Sequence, residues 1–250
     1  MPAWTTFTAV VAVTTVLVLV LSRVSQSTFT DAEEPQGGSG TADDAPRALA
    51  AEISTRALLA NVVVSQGAFL LLVVFAAWLF EIPAWAFGVS GETAGASAVL
   101  TGVLAGGSLY LANEVAAALG KRHGFAGSEE LRARLAPEST LGWVALFAGV
   151  LPLIATFEEL LFRGALVGVV SAGFGVSPWL LAVVSAIAFG FGHGAQGRLG
   201  VVVTGVLGFA LAALYVVSGS LLAVIVAHYV VNALEFLVHE RFGWEPFGSG

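Results

Sequence analysis

Two adjacent glutamates and an arginine interrupt a long apolar stretch. Glu158, Glu159 and Arg163 lie in the sequence FEELLFR, inside an apolar run from Leu141 to about Ala172. Glu159 and Arg163 are four residues apart with the acid first, which is the favourable order for an ion pair along one helix face. Glu158 lies about 100° away around the helix, so that spacing leaves it unneutralised. A free carboxylate in an apolar environment is suited to act as a general base.

Two further polar motifs lie in apolar runs closer to the C-terminus. Phe189 and His193 are four residues apart in FGFGHG, where the glycines permit close backbone approach. His228 and Asn232 have the same spacing in HYVVN and share one helix face. Two side-chain donors on one face are a way to stabilise a developing oxyanion.

Each of these groups has a structural as well as a functional interpretation. A single intramembrane histidine is often a hydrogen-bonding residue of helix packing, and a single Glu–Arg pair is often structural. An ionisable group inside a spanning helix costs about 2.5–3.5 kcal/mol on insertion scales, however, and three such groups on three separate runs favour a shared functional site. We expect Glu114 and Glu235 to lie at the membrane interface, with Glu235 and His239 forming a boundary contact.

The composition is that of an integral membrane protein. Of 250 residues, 57% are hydrophobic and 11% are charged, and the mean hydropathy is +0.90. A soluble domain carries about 25% charged residues, so this chain must face lipid over much of its surface. The absence of cysteine excludes disulfides, thiolate metal ligands and a cysteine nucleophile. No basic patch indicates a nucleic-acid partner, and the sequence does not define the oligomeric state.

The apolar runs predict an all-α, polytopic transmembrane helical bundle. They are continuous and lack the alternating polarity of membrane strands. We count seven spans, at about residues 3–21, 58–80, 98–119, 141–172, 178–191, 199–217 and 221–238. At 1.5 Å per residue the run 141–172 exceeds a hydrocarbon core of about 30 Å, so a break near Pro152 would give eight.

The composition also divides the chain into four parts. We expect an N-terminal transmembrane anchor at 1–22, a flexible acidic cytoplasmic linker at 23–57, a helical membrane core at 58–239 and a C-terminal tail at 240–250. Lysine and arginine mark cytoplasmic loops. The basic residues between 120 and 138, and their absence between 81 and 96, predict a multi-pass protein of the cell membrane with its N-terminus outside and its C-terminus in the cytoplasm.

Taken together, the motifs resemble those of a known protease family. In order along the chain they are Glu158-Glu159-x-x-x-Arg163, Phe189-x-x-x-His193 and His228-x-x-x-Asn232. This set resembles the CPBP family of intramembrane proteases, which contains the type II CAAX prenyl endopeptidases together with bacteriocin-processing and immunity-type (ABI) relatives. The resemblance implies that residues 58–239 form a membrane protease core. It implies an endopeptidase that hydrolyses a peptide bond of a membrane-associated or prenylated, CAAX-type substrate.

The resemblance also implies a role for each motif residue. It implies that Glu158 and His193 activate the attacking water. It implies that Glu159 and Arg163 hold the geometry of the catalytic helix. The last motif, His228 and Asn232, is implied to form the oxyanion hole.

The sequence leaves a metal requirement open. Zinc takes three or four His, Cys or carboxylate ligands, and Glu158, His193 and His228 offer three. The His-Glu-x-x-His motif is absent from the chain. We favour a glutamate-dependent mechanism without a metal or other cofactor, because the resemblance gives His228 to the oxyanion hole.

Other classes of membrane protein fit less well. A rhomboid protease needs Gly-x-Ser-Gly inside a span, but the two copies here, Gly37–Gly40 and Gly88–Gly91, lie in the linker and in an outer loop. Every aspartate lies in the linker, which disfavours a presenilin-type protease, and the missing zinc motif disfavours a site-2 protease. The remaining alternative is a non-catalytic membrane protein, an immunity-type scaffold or a transporter, that uses the same polar cluster for binding.

Overall fold

The structure, a computed structural model, describes residues 1–33, 55–122, 129–194 and 197–244. Within these ranges the secondary structure is entirely helical, which confirms the predicted fold class. In chain order the helices are α1 Trp4–Glu33, α2 Thr55–Leu79, α3 Ala96–Arg122, α4 Glu129–Leu135, α5 Thr140–Phe174, α6 Pro178–Gly192, α7 Gly197–Ser218 and α8 Leu221–Arg241. A short 3-10 helix, Ala84–Phe87, lies between α2 and α3.

Within the described residues, six helices are long and apolar enough to cross a membrane, so the protein is a multi-pass membrane protein. These are α1, α2, α3, α5, α7 and α8. The one remaining predicted span, residues 178–191, corresponds to α6, which is apolar but has only 15 residues. At 1.5 Å per residue it extends about 22 Å, less than a hydrocarbon core of about 30 Å.

The long helix α5 does not break at Pro152. It runs without interruption through 35 residues, so the break required by eight spans is absent. A π-helical turn, Leu146–Val150, ends two residues before the proline. A π turn accommodates a residue that cannot donate a backbone hydrogen bond, because it already departs from the α-helical ladder. A second π segment, Leu160–Val169, follows Glu159.

Helix α1 is longer than predicted and is part of the core. It continues to Glu33, beyond the expected start of the linker, while residues 34–54 of that linker and 245–250 of the tail lie outside the described residues. Phe7 and Val11 are buried, and Phe7 packs edge-on against Phe87 at 5.7 Å between ring centres. The segment 1–22 therefore packs as an integral helix of the bundle.

The core is built around α5. Its side chains Phe157, Leu161 and Ala165 are buried, and the Phe157 ring stacks on Phe69 of α2 at 5.9 Å. Helices α1, α2, α6 and α8 surround α5. The two adjacent glutamates therefore occur in a helix that packs against helices on several sides.

Small residues bring α3 close to α8. A Cβ atom on Gly102 would lie 2.6 Å from the Ala223 carbonyl oxygen, and one on Gly106 would lie 2.6 Å from the Ala227 carbonyl oxygen. Two glycines four residues apart let helix backbones approach, as is common in membranes. This α3–α8 seam supports the helix that carries His228.

Replacing Gly106 by alanine tests the seam. The added methyl group has no space, so we expect Gly106→Ala to lower the free energy of unfolding by about 1–3 kcal/mol. Gly107→Ala is the matched control, because a Cβ there meets nothing within 4 Å. Unfolding of both variants in detergent micelles measures the difference. Equal stability of the two variants would contradict close packing at the seam.

Candidate active site

Glu159 and Arg163 form a fully buried ion pair, as their spacing predicts. Arg163 Nη1 donates to Glu159 Oε1 at 2.8 Å, and both side chains are 0% exposed. The second guanidinium nitrogen donates to the Gly208 carbonyl oxygen of α7 at 2.7 Å. The guanidinium carbon lies 4.5 Å from the centre of the Phe189 ring of α6. Arg163 thus ties α5 to both α6 and α7.

The same carboxylate oxygen also holds His228. His228 Nδ1 lies 2.7 Å from Glu159 Oε1. An ionised carboxylate only accepts hydrogen bonds, so Nδ1 carries the proton and donates it. His228 Nε2 is then the nitrogen directed towards Glu158, whose Oε2 lies 3.9 Å away. Glu159 therefore sets the orientation of a histidine on another helix in addition to pairing with Arg163.

Glu158 has a buried oxygen without a hydrogen-bond partner. Its side chain is 12% exposed, and Oε2 makes no hydrogen bond with the described residues. Leaving a buried acceptor unsatisfied costs about 1–3 kcal/mol and more for a charged group, so a donor such as a water O–H is strongly favoured there. Glu158 is the freer of the two acids, as predicted.

His193 lies at the C-terminal end of α6, with φ of −103°. Its Nδ1 lies 2.8 Å from the Phe189 carbonyl oxygen. A carbonyl oxygen only accepts, so Nδ1 is the donor, and in the neutral ring Nε2 is free to accept a proton. Helix α1 supports this turn, because Ser22 Oγ donates to the Gly192 carbonyl oxygen.

The Phe189 ring connects the two histidines. Its centre lies 4.6 Å from the His193 ring and 6.0 Å from the His228 ring. Among the described residues no hydrogen bond joins Glu158 to His193. Asn232 follows His228 by one turn of α8 and is half-buried.

The structure thus brings the predicted residues together to different degrees. Glu158, Glu159, Arg163 and His228 form one group linked by the distances above, and His193 reaches it through an aromatic ring. Asn232 lies one turn after His228 on α8, and among the described residues no hydrogen bond joins its side chain to the group.

Two supporting groups were missing from the sequence prediction. The backbone carbonyl of Gly208 receives Arg163, and a Cβ on Gly208 would lie 2.9 Å from Phe189 Cδ1. Ser185 is fully buried and its Oγ donates to the Phe162 carbonyl oxygen at 2.7 Å. Neither has a distinctive sequence signal, because Gly208 is one of four glycines in α7 and Ser185 is a single serine in the apolar helix α6.

The donors around Glu158 do not fit a three-ligand metal site. Within the described ranges, the His and Glu side chains that place one ligand atom each within 4.8 Å of one another are Glu114, Glu235 and His239. Glu158, His193 and His228 do not form such a group. His228 Nδ1 is engaged with Glu159.

Comparison with known proteins identifies one family. A family model described as "Type II CAAX prenyl endopeptidase Rce1-like" matches residues 140–234. This segment begins at the start of α5, ends in α8 and contains all seven residues of the three motifs. No curated protein and no solved structure matches the chain. Over residues 140–234 the chain carries a type II CAAX prenyl endopeptidase Rce1-like domain, which confirms the resemblance of its motifs to the CPBP family.

Proposed function

We propose that the protein is an intramembrane endopeptidase that hydrolyses a peptide bond of a membrane-associated or prenylated, CAAX-type substrate. The family of the 140–234 domain supports this activity. The observation that carries the proposal is the unpartnered Glu158 Oε2, buried 3.9 Å from His228 Nε2. In an apolar bundle, a free carboxylate beside an oriented imidazole places a general base for water next to a donor for the oxyanion.

In the proposed reaction Glu158 is the general base. A water molecule donates one proton to Glu158 Oε2 as its oxygen attacks the substrate carbonyl carbon, and His193 Nε2 accepts the second O–H as a hydrogen bond. The resulting tetrahedral intermediate carries negative charge on the former carbonyl oxygen. Glu158 then passes its proton to the amide nitrogen and the C–N bond breaks. The products are a carboxyl group and an amine.

His228 and Asn232 stabilise the oxyanion in this scheme. His228 Nδ1 already donates to Glu159, so Nε2 can donate only when the ring is protonated. Asn232, on the same face of α8, supplies the second donor through its amide nitrogen. One such donor is worth about 10²–10³ in turnover.

The proposed mechanism uses no metal ion or other cofactor. His228 is committed to Glu159 through Nδ1, and Arg163 supplies the positive charge of the buried group. The partners in this scheme are the lipid bilayer and a peptide or prenylated protein.

Glu158→Gln tests the activity directly. The amide cannot take a proton from water, so we expect turnover to fall by about 10²–10⁴ while substrate binding is retained. Glu138→Gln is the matched control, because Glu138 is exposed outside the group. Purified variants in proteoliposomes are assayed for release of the C-terminal fragment from a farnesylated CAAX peptide and from its unprenylated form.

The outcomes separate the two candidate functions. Full activity of Glu158→Gln would end the assignment of Glu158 as base. Binding of peptide without cleavage by the wild-type protein would favour the non-catalytic alternative, a scaffold or transporter. Comparing membrane and secreted peptides from cells with either protein extends the assay to substrates outside the CAAX class.

We propose seven crossings, with the N-terminus outside and the C-terminus in the cytoplasm. Met1 pairs with Glu81 at one end of the bundle. At the other end Ser22 contacts Gly192 and Thr55 contacts Arg134. In this arrangement α6 joins the two ends despite its length, and His193 faces the cytoplasmic side.

Single cysteines in this naturally cysteine-free chain test the orientation. We expect Arg198→Cys in intact cells to react only with membrane-permeant thiol reagents. Glu92→Cys, exposed in the 81–96 loop, is the control and reacts with impermeant reagents added outside. Labelling of position 198 by the impermeant reagent would reverse the proposed orientation.

A further inference from the structure

A second polar cluster lies at the C-terminal ends of α3 and α8. It consists of Glu114, Glu235 and His239, whose ligand atoms lie within 4.8 Å of one another. His239 Nε2 is 2.8 Å from Glu114 Oε1 and 3.8 Å from Glu235 Oε2. The three residues lie outside the matched 140–234 segment, and no step of the proposed hydrolysis uses them. The sequence predicts only a boundary contact between Glu235 and His239, so the pairing with Glu114 is new.

The cluster contains more negative than positive charge. Arg132 of α4 donates through Nη1 to Glu235 Oε2 and through Nε to Glu240 Oε1, each at 2.8 Å. Arg132 thus contacts two of the three carboxylates of Glu114, Glu235 and Glu240, and with a neutral His239 these groups carry two excess negative charges. Uncompensated charge is costly in a partly buried setting, and a divalent cation would balance it.

Tyr110 provides an independent indication of a ligand. Its side chain is 6% exposed, and its hydroxyl is buried without a hydrogen-bond partner among the described residues. Tyr110 precedes Glu114 by one turn and continues the stripe of Gly102 and Gly106 that faces α8. The Tyr110 and Glu114 side chains are therefore neighbours on the face of α3 that packs against α8.

We propose that Glu114, Glu235 and His239, together with the Tyr110 hydroxyl, bind a divalent transition-metal ion of the Zn²⁺ class. Two carboxylates, one imidazole and one phenol oxygen suit a four-coordinate ion of this kind. Calcium and magnesium prefer oxygen ligands only, so the imidazole disfavours them.

Binding of the metal ion requires His239 and Glu235 to give up hydrogen bonds that they now make, and the surrounding residues allow this. The metal takes the place of the proton that His239 Nε2 shares with Glu114, and this proton is released to solvent. Glu235 Oε2 turns from Arg132 to the metal, while Arg132 keeps Glu240. Asn113 Nδ2 donates to Glu235 Oε1 at 2.7 Å and continues to orient that carboxylate, as outer ligands of metal sites do.

Binding of Zn²⁺ to the full-length protein in detergent tests the site. Protein stripped of metal by a chelator is dialysed against Zn²⁺, and bound metal is measured by elemental analysis. We expect about one Zn²⁺ per wild-type chain, release of protons on binding and a higher unfolding temperature. Glu114→Gln and His239→Gln should each lose the bound metal.

Three further variants separate loss of metal binding from loss of folding and from effects at the catalytic group. Tyr110→Phe preserves the ring packing and removes only the hydroxyl, so it should weaken Zn²⁺ binding by about tenfold even if the glutamine variants fail to fold. Glu81→Gln, an exposed acid, should bind as the wild type does. The double variant Glu158→Gln, His193→Gln should also retain its Zn²⁺, which separates this site from the catalytic group.

Two results would overturn the proposal. One is a wild-type chain that binds no Zn²⁺ above the level of the detergent blank. The other is binding that is unaffected by changes at 110, 114 and 239, or that is lost only in the Glu158→Gln, His193→Gln double variant. Neither result bears on hydrolysis by Glu158, because that assay needs no added metal.

Discussion

A single carboxylate oxygen, Glu159 Oε1, lies at the centre of the buried group. It accepts hydrogen bonds from Arg163 of its own helix and from His228 of α8, at 2.8 and 2.7 Å. A buried carboxylate in an apolar bundle is tolerated only with such partners. Because Arg163 also reaches the α7 backbone and the Phe189 ring, the position of this oxygen links four helices. The orientation of His228, and with it the environment of Glu158, depends on that link.

The packing of the other helices positions α5 and α8 around this group. Two glycines four residues apart bring α3 against α8, and α8 presents His228 and Asn232 on a single face. The π segment Leu160–Val169 begins directly after Glu159, so the polar pair lies where the helical register of α5 changes. π-helical turns occur frequently at functional sites. Helix α1 adds a contact at the turn before His193, and thereby belongs to the structure around the site.

The spacing of residues along a helix predicted the contacts within that helix. The contacts between helices depend on packing, which the sequence motifs do not specify. The Glu159–Arg163 pair follows from residues four apart, as does the greater freedom of Glu158. The bond between Glu159 and His228 joins positions 69 residues apart, and nothing in either motif specifies which of the two acids the histidine meets. The Gly208 carbonyl has no side chain to mark it. Hydropathy predicted α6 as a span, although its 15 residues are fewer than a full crossing uses.

The central claim is that Glu159 contributes to hydrolysis through His228, and a double-mutant cycle on turnover measures this coupling. Single-turnover rates are compared for wild type, Glu159→Gln, His228→Asn and the double variant, each first shown to be folded by its unfolding transition. If both residues act through one hydrogen bond, the double variant is no slower than His228→Asn alone. Rate losses that multiply, as for two independent residues, would contradict the account.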